Sequence, residues 1–458
     1  MKTFQILIFV CLFSVLCDAQ WVKQDVKTSA SLRGLSVVNE KVVWASGTGG
    51  TVIKTTDGGS TWKVMTVPGA EKLDFRDIEA FDANTAYILS IGNGESSRIY
   101  KTTDGGSTWK EQFRNKNEKA FFDAIACWDA KNCIAMSDPV DGRFLLIETK
   151  NGENWSVMDT SKMPPVKEGE AAFAASGTCL ITQGKNNAFL VSGGTDARVF
   201  RTNNRGKTWQ VSDTPITKGT AGSGIFSIAM FDEKNGVIVG GNYENPEERN
   251  ETFAMTRDGG ATWQPGARPL GYRSGVAYLD RKTVVAVGTN GSDVSYDRAD
   301  TWSMVGNENL NAVAANGRNA VWSVGPNGVV VRLDSKVLAA QYEDPDLKRL
   351  PGCHLCDVIA IELGHLMIAT KCGPSDQECS SDRRIEVRTT AVQIDEPHEY
   401  LYQVTAGKIV GDGPNVIWDL SDAKPGKYPI TAGITVPYLG GNRWGVVGRT
   451  MTREVVVR

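Results

Sequence analysis

The sequence predicts an all-β protein: a seven-bladed β-propeller with one repeated turn motif, followed by a C-terminal β-sandwich. Three observations carry this. An octapeptide recurs as Thr55-Thr-Asp57-Gly-Gly59-Ser-Thr61-Trp62, as Thr102 to Trp109, and as Thr256 to Trp263. Worn copies end in Trp155, Trp209 and Trp302, so the six tryptophans follow one another at 47, 46, 54, 54 and 39 residues. Between them the chain reads as short alternating strands with glycine turns and no helical periodicity. A period near 45 residues with that texture selects four-stranded blades.

The N-terminus precedes the first blade. Lys2 is followed by the apolar run Ile6 to Phe13, too short for a permanent span, and then by Cys17-Asp18-Ala19 with small residues at the cleavage positions. Residues 1–19 read as a signal peptide, and the product is expected to be secreted. No later stretch is apolar enough for stable membrane insertion. With 50 Lys+Arg against 53 Asp+Glu the net charge is −3, which excludes a nucleic-acid partner gripped by bulk charge. The three histidines, His354, His365 and His398, all lie late in the chain, so the first 350 residues hold no imidazole for catalysis or metal binding.

Each octapeptide is the Asp-box of sialidase-like propellers, and its mechanics are local. Asp accepts backbone N–H groups across a tight turn, Gly supplies positive φ, and Trp packs between blades. In the worn copies Lys150 and Asn204 occupy the Asp position, and Ala299 replaces a Gly. The boxes are structural and form no site. Residues 311–332 repeat three strands of a blade without a box. Gln20-Trp21-Val22 resembles a strand that follows one, so residues 20–28 are expected to complete the last blade and seal the ring. The propeller is thus assigned to residues 20–335.

The segments Arg76-Asp-Ile, Ala120-Phe-Phe-Asp123-Ala, Met136-Ser-Asp138-Pro-Val-Asp141-Gly-Arg143-Phe, Gly169-Glu170 to Gly177, and Gly271-Tyr272-Arg273-Ser274 resemble secreted bacterial-type relatives of the photosystem II stability/assembly factor. The resemblance covers about residues 21–335. It implies the propeller fold and, from the plant and cyanobacterial members, non-catalytic binding of a protein partner. Some relatives carry the label "oxidoreductase". No cofactor motif supports it here: Gly47-Thr-Gly49-Gly50 precedes a strand and not a helix, so it is a turn. No cofactor or metal is expected.

A binding face follows from the topology. Loops entering the inner strands, and loops between second and third strands, share the face opposite the boxes. The first set carries Arg33, Arg76, Asp123, Glu170, Arg273 and Asn311, one per blade in six blades. The second places Arg98, Arg143 and Arg198 at matching points of blades two, three and four. One reading is a funnel for a protein, an acidic peptide or an anionic glycan, since the Arg fork bonds carboxylates bidentately. The other is that these arginines pair with nearby acids such as Asp138, Asp141 and Asp196 and brace loops. The enzymatic alternative is a glycoside hydrolase using two of Asp138, Asp141 and Glu170, although the Arg-Ile-Pro element of sialidases is absent.

Residues 336–350 read as a linker, and 351–458 as a sandwich of short strands. The run Tyr402-Gln-Val404 to Tyr428 resembles a polycystic-kidney-disease-type immunoglobulin-like module. Outside the cell, Cys127 and Cys133 suit a local disulfide, and Cys353, Cys356, Cys372 and Cys379 suit two more of open connectivity, with zinc as the alternative. Cys179 is left as a buried strand thiol. Three sequons occur, for use in a eukaryotic host: Asn154, the least accessible, in a box turn, and Asn250 and Asn290 on the binding face.

Overall fold

The computed structural model describes residues 21–266, 271–334, 358–363, 367–368, 379–380, 382–391, 399–437 and 444–457. The expected signal peptide and linker lie outside these residues. Two compact units are present, residues 1–338 and 339–458.

The first unit is a seven-bladed propeller of antiparallel sheets; six are four-stranded, and the blade 5 sheet is extended by the short strands Gly193–Gly194 and Glu170–Ala171. Blade 1 runs Leu32–Val37, Val43–Gly47, Thr51–Thr55 and Lys63–Thr66 from the channel outward. The inner strands of blades 2 to 6 are Phe75–Ala80, Phe122–Asp129, Leu180–Gln183, Ser223–Met230 and Gly275–Tyr278. Blade 7 has Ala312–Ala315, Val321–Val324 and Val330–Leu333, and its outer strand is Trp21–Lys23 from the start of the chain. Trp21 pairs with Leu333 and Lys23 with Val331. The seam between blades 7 and 1 is stitched by Leu32 N–H to Gly325 O at 3.1 Å and by the Asn311 amide to Leu32 O at 2.8 Å. Both faces of each blade meet a neighbour, so strands such as Val43–Gly47 and Ala86–Ser90 are buried throughout.

The boxes fold as their chemistry requires. In blade 1 the Thr61 N–H and hydroxyl donate to the Asp57 carboxylate at 2.9 and 2.6 Å, which holds Asp57 down to about 2. Gly58 and Gly59 have φ of 72° and 92°. Trp62 meets Trp322 of blade 7 edge-on at 5.5 Å, and Trp109 meets Trp44 of blade 1 likewise at 6.5 Å. In the blade 6 box Ala299 takes φ of 71° where others have Gly. The third box corrects the sequence alignment. Asn151, and not Lys150, accepts the turn N–H groups of Glu153 and Asn154, so this copy is one residue short. Between boxes, Lys54 donates to Gly105 O and Lys101 to Gly152 O, tying each third strand to the next blade's turn.

Cys127 and Cys133 are disulfide-bonded across the hairpin of blade 3. Replacing both by Ser should cost about 2 kcal/mol, the value for so short a loop, read as a lower urea midpoint under oxidising conditions. Cys179 is buried and free, but it sits in the turn before the blade 4 inner strand. Of the other cysteines, the side chains lie outside the described residues. Asn154 is exposed despite its turn. Asn250 is exposed too, whereas the Asn290 amide donates to Pro246 O at 2.7 Å and is poorly placed to carry a glycan.

The second unit contains two sheets, one including Val358–Leu363, Arg384–Ala391, Asn415–Asp419 and Lys408–Val410, the other Glu399–Val404, Gly426–Pro437 and Trp444–Val457. Ile385, Val387, Trp418, Ile430 and Val455 share one core between them, as a sandwich requires. Among the described residues no helix is long and apolar enough to cross a membrane.

Candidate binding site

Inner strands of blades 1, 2, 3 and 5 each carry a β-bulge near the channel mouth, after Leu32, Phe75, Phe122 and Ile225. The extra residue drops out of the ladder, which re-aims its side chain. Those residues are Arg33, Arg76, Asp123 and Phe226. Three were expected at the mouth. Phe226 stands at the same strand position, but an uncharged side chain there gives no signal in the charge pattern of the sequence.

A second feature has no counterpart in the blade pattern. Residues 172–178, between blades 3 and 4, cross the channel and plug it. Arg33 donates to Ala175 O at 2.9 Å, and Arg76 donates to Ala174 O at 3.2 Å. The Ser176 hydroxyl donates to Ser274 O of blade 6 at 2.7 Å, and Thr178 pairs with Ser227 of blade 5 at 2.6 Å. Ala172 N–H donates to Asp138 at 2.8 Å. Gly177 has φ of 77° and lies against the Asp77 carboxylate, where a Cβ would approach Oδ1 to 2.2 Å. Only glycine fits that crossing. The plug's buried carbonyls need donors, and two mouth arginines supply them.

Above the plug lies an open cavity of about 420 Å³ lined by Arg33, Arg76, Phe173, Phe226, Tyr243 and Tyr272, with Ser274, Thr289 and Asn311 at its edge. Phe173 stacks on Phe226 with centroids 3.9 Å apart and planes within 5°. Tyr272 meets Phe226 edge-on at 4.8 Å, and Tyr243 caps both phenylalanines edge-on. Arg76 pairs with Asp74 at 2.8 Å. Burial and the neighbouring Arg76 charge both lower the Arg33 pKa. The cavity therefore sets two guanidiniums, one of them bonded to a carboxylate, against an aromatic wall.

The remaining predicted site residues divide by what they touch. Arg98, Arg143 and Arg198 do open the third strands of blades 2, 3 and 4, but they do not form an arc facing one ligand. Arg98 is held by Glu95 O and Glu111, and Arg143 by Met163 O. Arg198 is buried in an ion pair with Glu170. Arg273 is buried against Asp293, with Nε to Oδ2 at 2.7 Å. Guanidiniums as far from water as those of Arg198 and Arg273 must be paired, while the half-buried Arg98 and Arg143 brace the loops whose atoms they bond. Glu170 was expected to enter the inner strand of blade 4. It lies instead in the two-residue strand Glu170–Ala171 on Gly193–Gly194, because the plug intervenes before Leu180. Asn311 stitches the seam.

The three carboxylates considered for hydrolysis sit in separate settings. Glu170 is sealed by Arg198, Asp138 holds the plug, and Asp141 stands 84% exposed at a hairpin tip with φ of 51°. Beside the plug, Asp77, Asp123 and Asp138 lie close enough to Cys179 to act on its thiol electrostatically. Burial lifts Asp77 to about 7 and Asp138 to about 6; burial and then Asp138 push Asp123 well up.

A family model described as photosynthesis system II assembly factor YCF48 matches residues 14–112. Among solved structures, YCF48 bound to D1 peptide is 16% identical, covering 69% of this chain and 96% of that one, with a TM-score of 0.51. The chain shares the β-propeller fold of YCF48 and is similar to that family over residues 14–112. The structure of YCF48 from Cyanidioschyzon merolae is likewise 16% identical over 69% of this chain and 99% of that one, at a TM-score of 0.51. No curated protein matches the sequence. In this YCF48-like propeller the family match includes Arg33 and Arg76 of blades 1 and 2. The plug and the aromatic wall lie beyond the matched residues.

Proposed function

We propose that the chain is a secreted, non-catalytic binding or scaffold protein that holds a protein or peptide segment at the channel mouth opposite the Asp-boxes. The observation that carries this is the pairing of Arg33 and Arg76 over an open, aromatic-walled cavity. Each uses one Nη on a plug carbonyl and keeps further N–H donors, and the pair exceeds its bonded carboxylate by one charge. An anionic group on the ligand balances that charge through charge-assisted hydrogen bonds. The similar structure of YCF48 bound to D1 peptide supports a peptide as the ligand class. The leader-like residues 1–19 and the Cys127–Cys133 disulfide support secretion.

The test is binding of a mixed free-acid decapeptide library to the purified protein, to Arg33→Ala/Arg76→Ala, and to Arg98→Ala, whose guanidinium braces a loop elsewhere. The double variant should lose at least about tenfold in affinity, the scale of a lost charge-assisted pair, while Arg98→Ala binds as wild type. Since both mouth arginines also brace the plug, thermal midpoints are read alongside. Unchanged binding by a folded double variant would refute the reading.

A further inference from the structure

Resting on that reading, we propose that the mouth recognises the C-terminal end of a peptide whose last residue is aromatic. Three features of the cavity lead there. Its floor is closed: Ala174 and Ala175 of the plug lie across the channel, and their carbonyls are already bonded to Arg76 and Arg33. A chain entering along the axis must therefore stop at this depth, which suits a terminus.

The second feature is the arrangement of chemistry. Guanidiniums and aromatic rings line the same cavity of about 420 Å³. That volume is near the lower end for ligand pockets and matches a unit of one or two residues. A C-terminal residue carries its carboxylate and its side chain on one Cα, so a single residue can reach both surfaces. An internal Asp or Glu supplies the carboxylate but no group for the wall. A C-terminal Phe, Tyr or Trp supplies both.

The third is the wall itself. Phe173 and Phe226 are stacked, and Tyr243 and Tyr272 approach Phe226 edge-on at 6.2 and 4.8 Å. Tyr243 remains 49% exposed, at the start of the long blade 5 loop. A further ring can join the cluster edge-to-face, a geometry that adds attraction beyond burial alone. Covering the open side of Tyr243 removes apolar surface from water in the same step.

The experiment uses N-terminally fluorescein-labelled hexapeptides of a Gly-Ser body, read by anisotropy against the purified protein. Four are compared: Phe free acid, Phe amide, Ala free acid, and an Asp amide that keeps only a side-chain carboxylate. The Phe acid should bind best, with each of the others weaker by about tenfold or more. Tyr243→Ala, at a half-exposed position, should shrink the Phe-to-Ala ratio. If binding requires Arg33 and Arg76 but amide equals acid, or Ala equals Phe, the terminal-aromatic proposal is overturned and the binding site stands. If no peptide binds, or binding ignores the Arg33→Ala/Arg76→Ala change, the underlying reading fails and this proposal falls with it.

Discussion

Trp21→Ala should destabilise the propeller by about 3–5 kcal/mol, the range for truncating a buried aromatic. Trp21 is 3% exposed although it is the first of the described residues. It pairs with Leu333, packs among Leu279, Val285, Val287 and Val305, and its indole N–H donates to Ser292 Oγ at 2.8 Å. The outer strand of blade 7 is only Trp21–Lys23, so little else anchors it. Losing the anchor leaves a cavity and an unpaired edge on the Val330–Leu333 strand. Urea unfolding followed by tryptophan fluorescence measures the effect, with Trp21→Phe expected to recover much of it. A loss below about 1 kcal/mol, the scale of an ordinary surface change, would mean that the ring is held by its other seam contacts and that strand exchange contributes little.

The second large effect is a fall in stability as pH rises from about 4 to about 7. Folded Asp77 and Asp138 are lifted to about 7 and about 6 by burial. Asp123 and Glu79 are raised further by burial, with Asp138 and Asp77 respectively adding like charge. In the unfolded chain such carboxyls titrate near 4. Between the two pKa values the folded state holds more protons than the unfolded state, so raising pH favours unfolding. For Asp138 alone the shift corresponds to about 3 kcal/mol between pH 4 and pH 8. The box carboxylates work in the other direction and in another window. Asp57, Asp104 and Asp258 are depressed to about 2, so their contribution is complete above about 4 and is lost only as pH falls through 2. Maximum stability is therefore expected near pH 4 to 5.

Asp138→Asn separates this from other causes. Asn can still accept the Ala172 N–H, but it removes the charge that faces Asp123. It should raise the thermal midpoint at pH 8, change little at pH 4.5, and flatten the profile between them. Wild-type stability that climbs from pH 5 to pH 8 would show that these carboxyls ionise in the folded protein with compensation from another charge.

The legibility of this protein follows the range of the interactions. A box is seven or eight residues, and the side-chain bonds that shape its turn close within that stretch, as between Asp57, Thr55 and Thr61. The motif is thus readable from spacing alone, and even its worn copies keep the tryptophan and a residue able to take positive φ. The one-residue deletion around Asn151 is not legible from spacing, because alignment from Trp155 and alignment from Thr149 give different partners, and only the N–H directions choose. The period then leads to seven blades, and the strand-like start of the chain to closure by Trp21.

The site is of longer range and was read only in part. Arg33, Arg76 and Asp123 share a strand position, and sequence could place them at the mouth. It could not say that Arg198 meets Glu170, or Arg273 meets Asp293, because those pairs span 28 and 20 residues and depend on which loops fold inward. Nor could it show that residues 172–178 leave the blade repeat to close the channel, which draws Arg33 and Arg76 onto backbone carbonyls from distant blades. The aromatic wall joins four residues from blades 5 and 6 and the plug, none of them unusual in its own segment. What the sequence determined by itself was the repeating unit and its number, since those rest on local turns and strand alternation. What only the tertiary structure decided was which charges are neutralised and which remain open, since a charge is satisfied by whatever the fold brings within about 3 Å of it, regardless of distance along the chain.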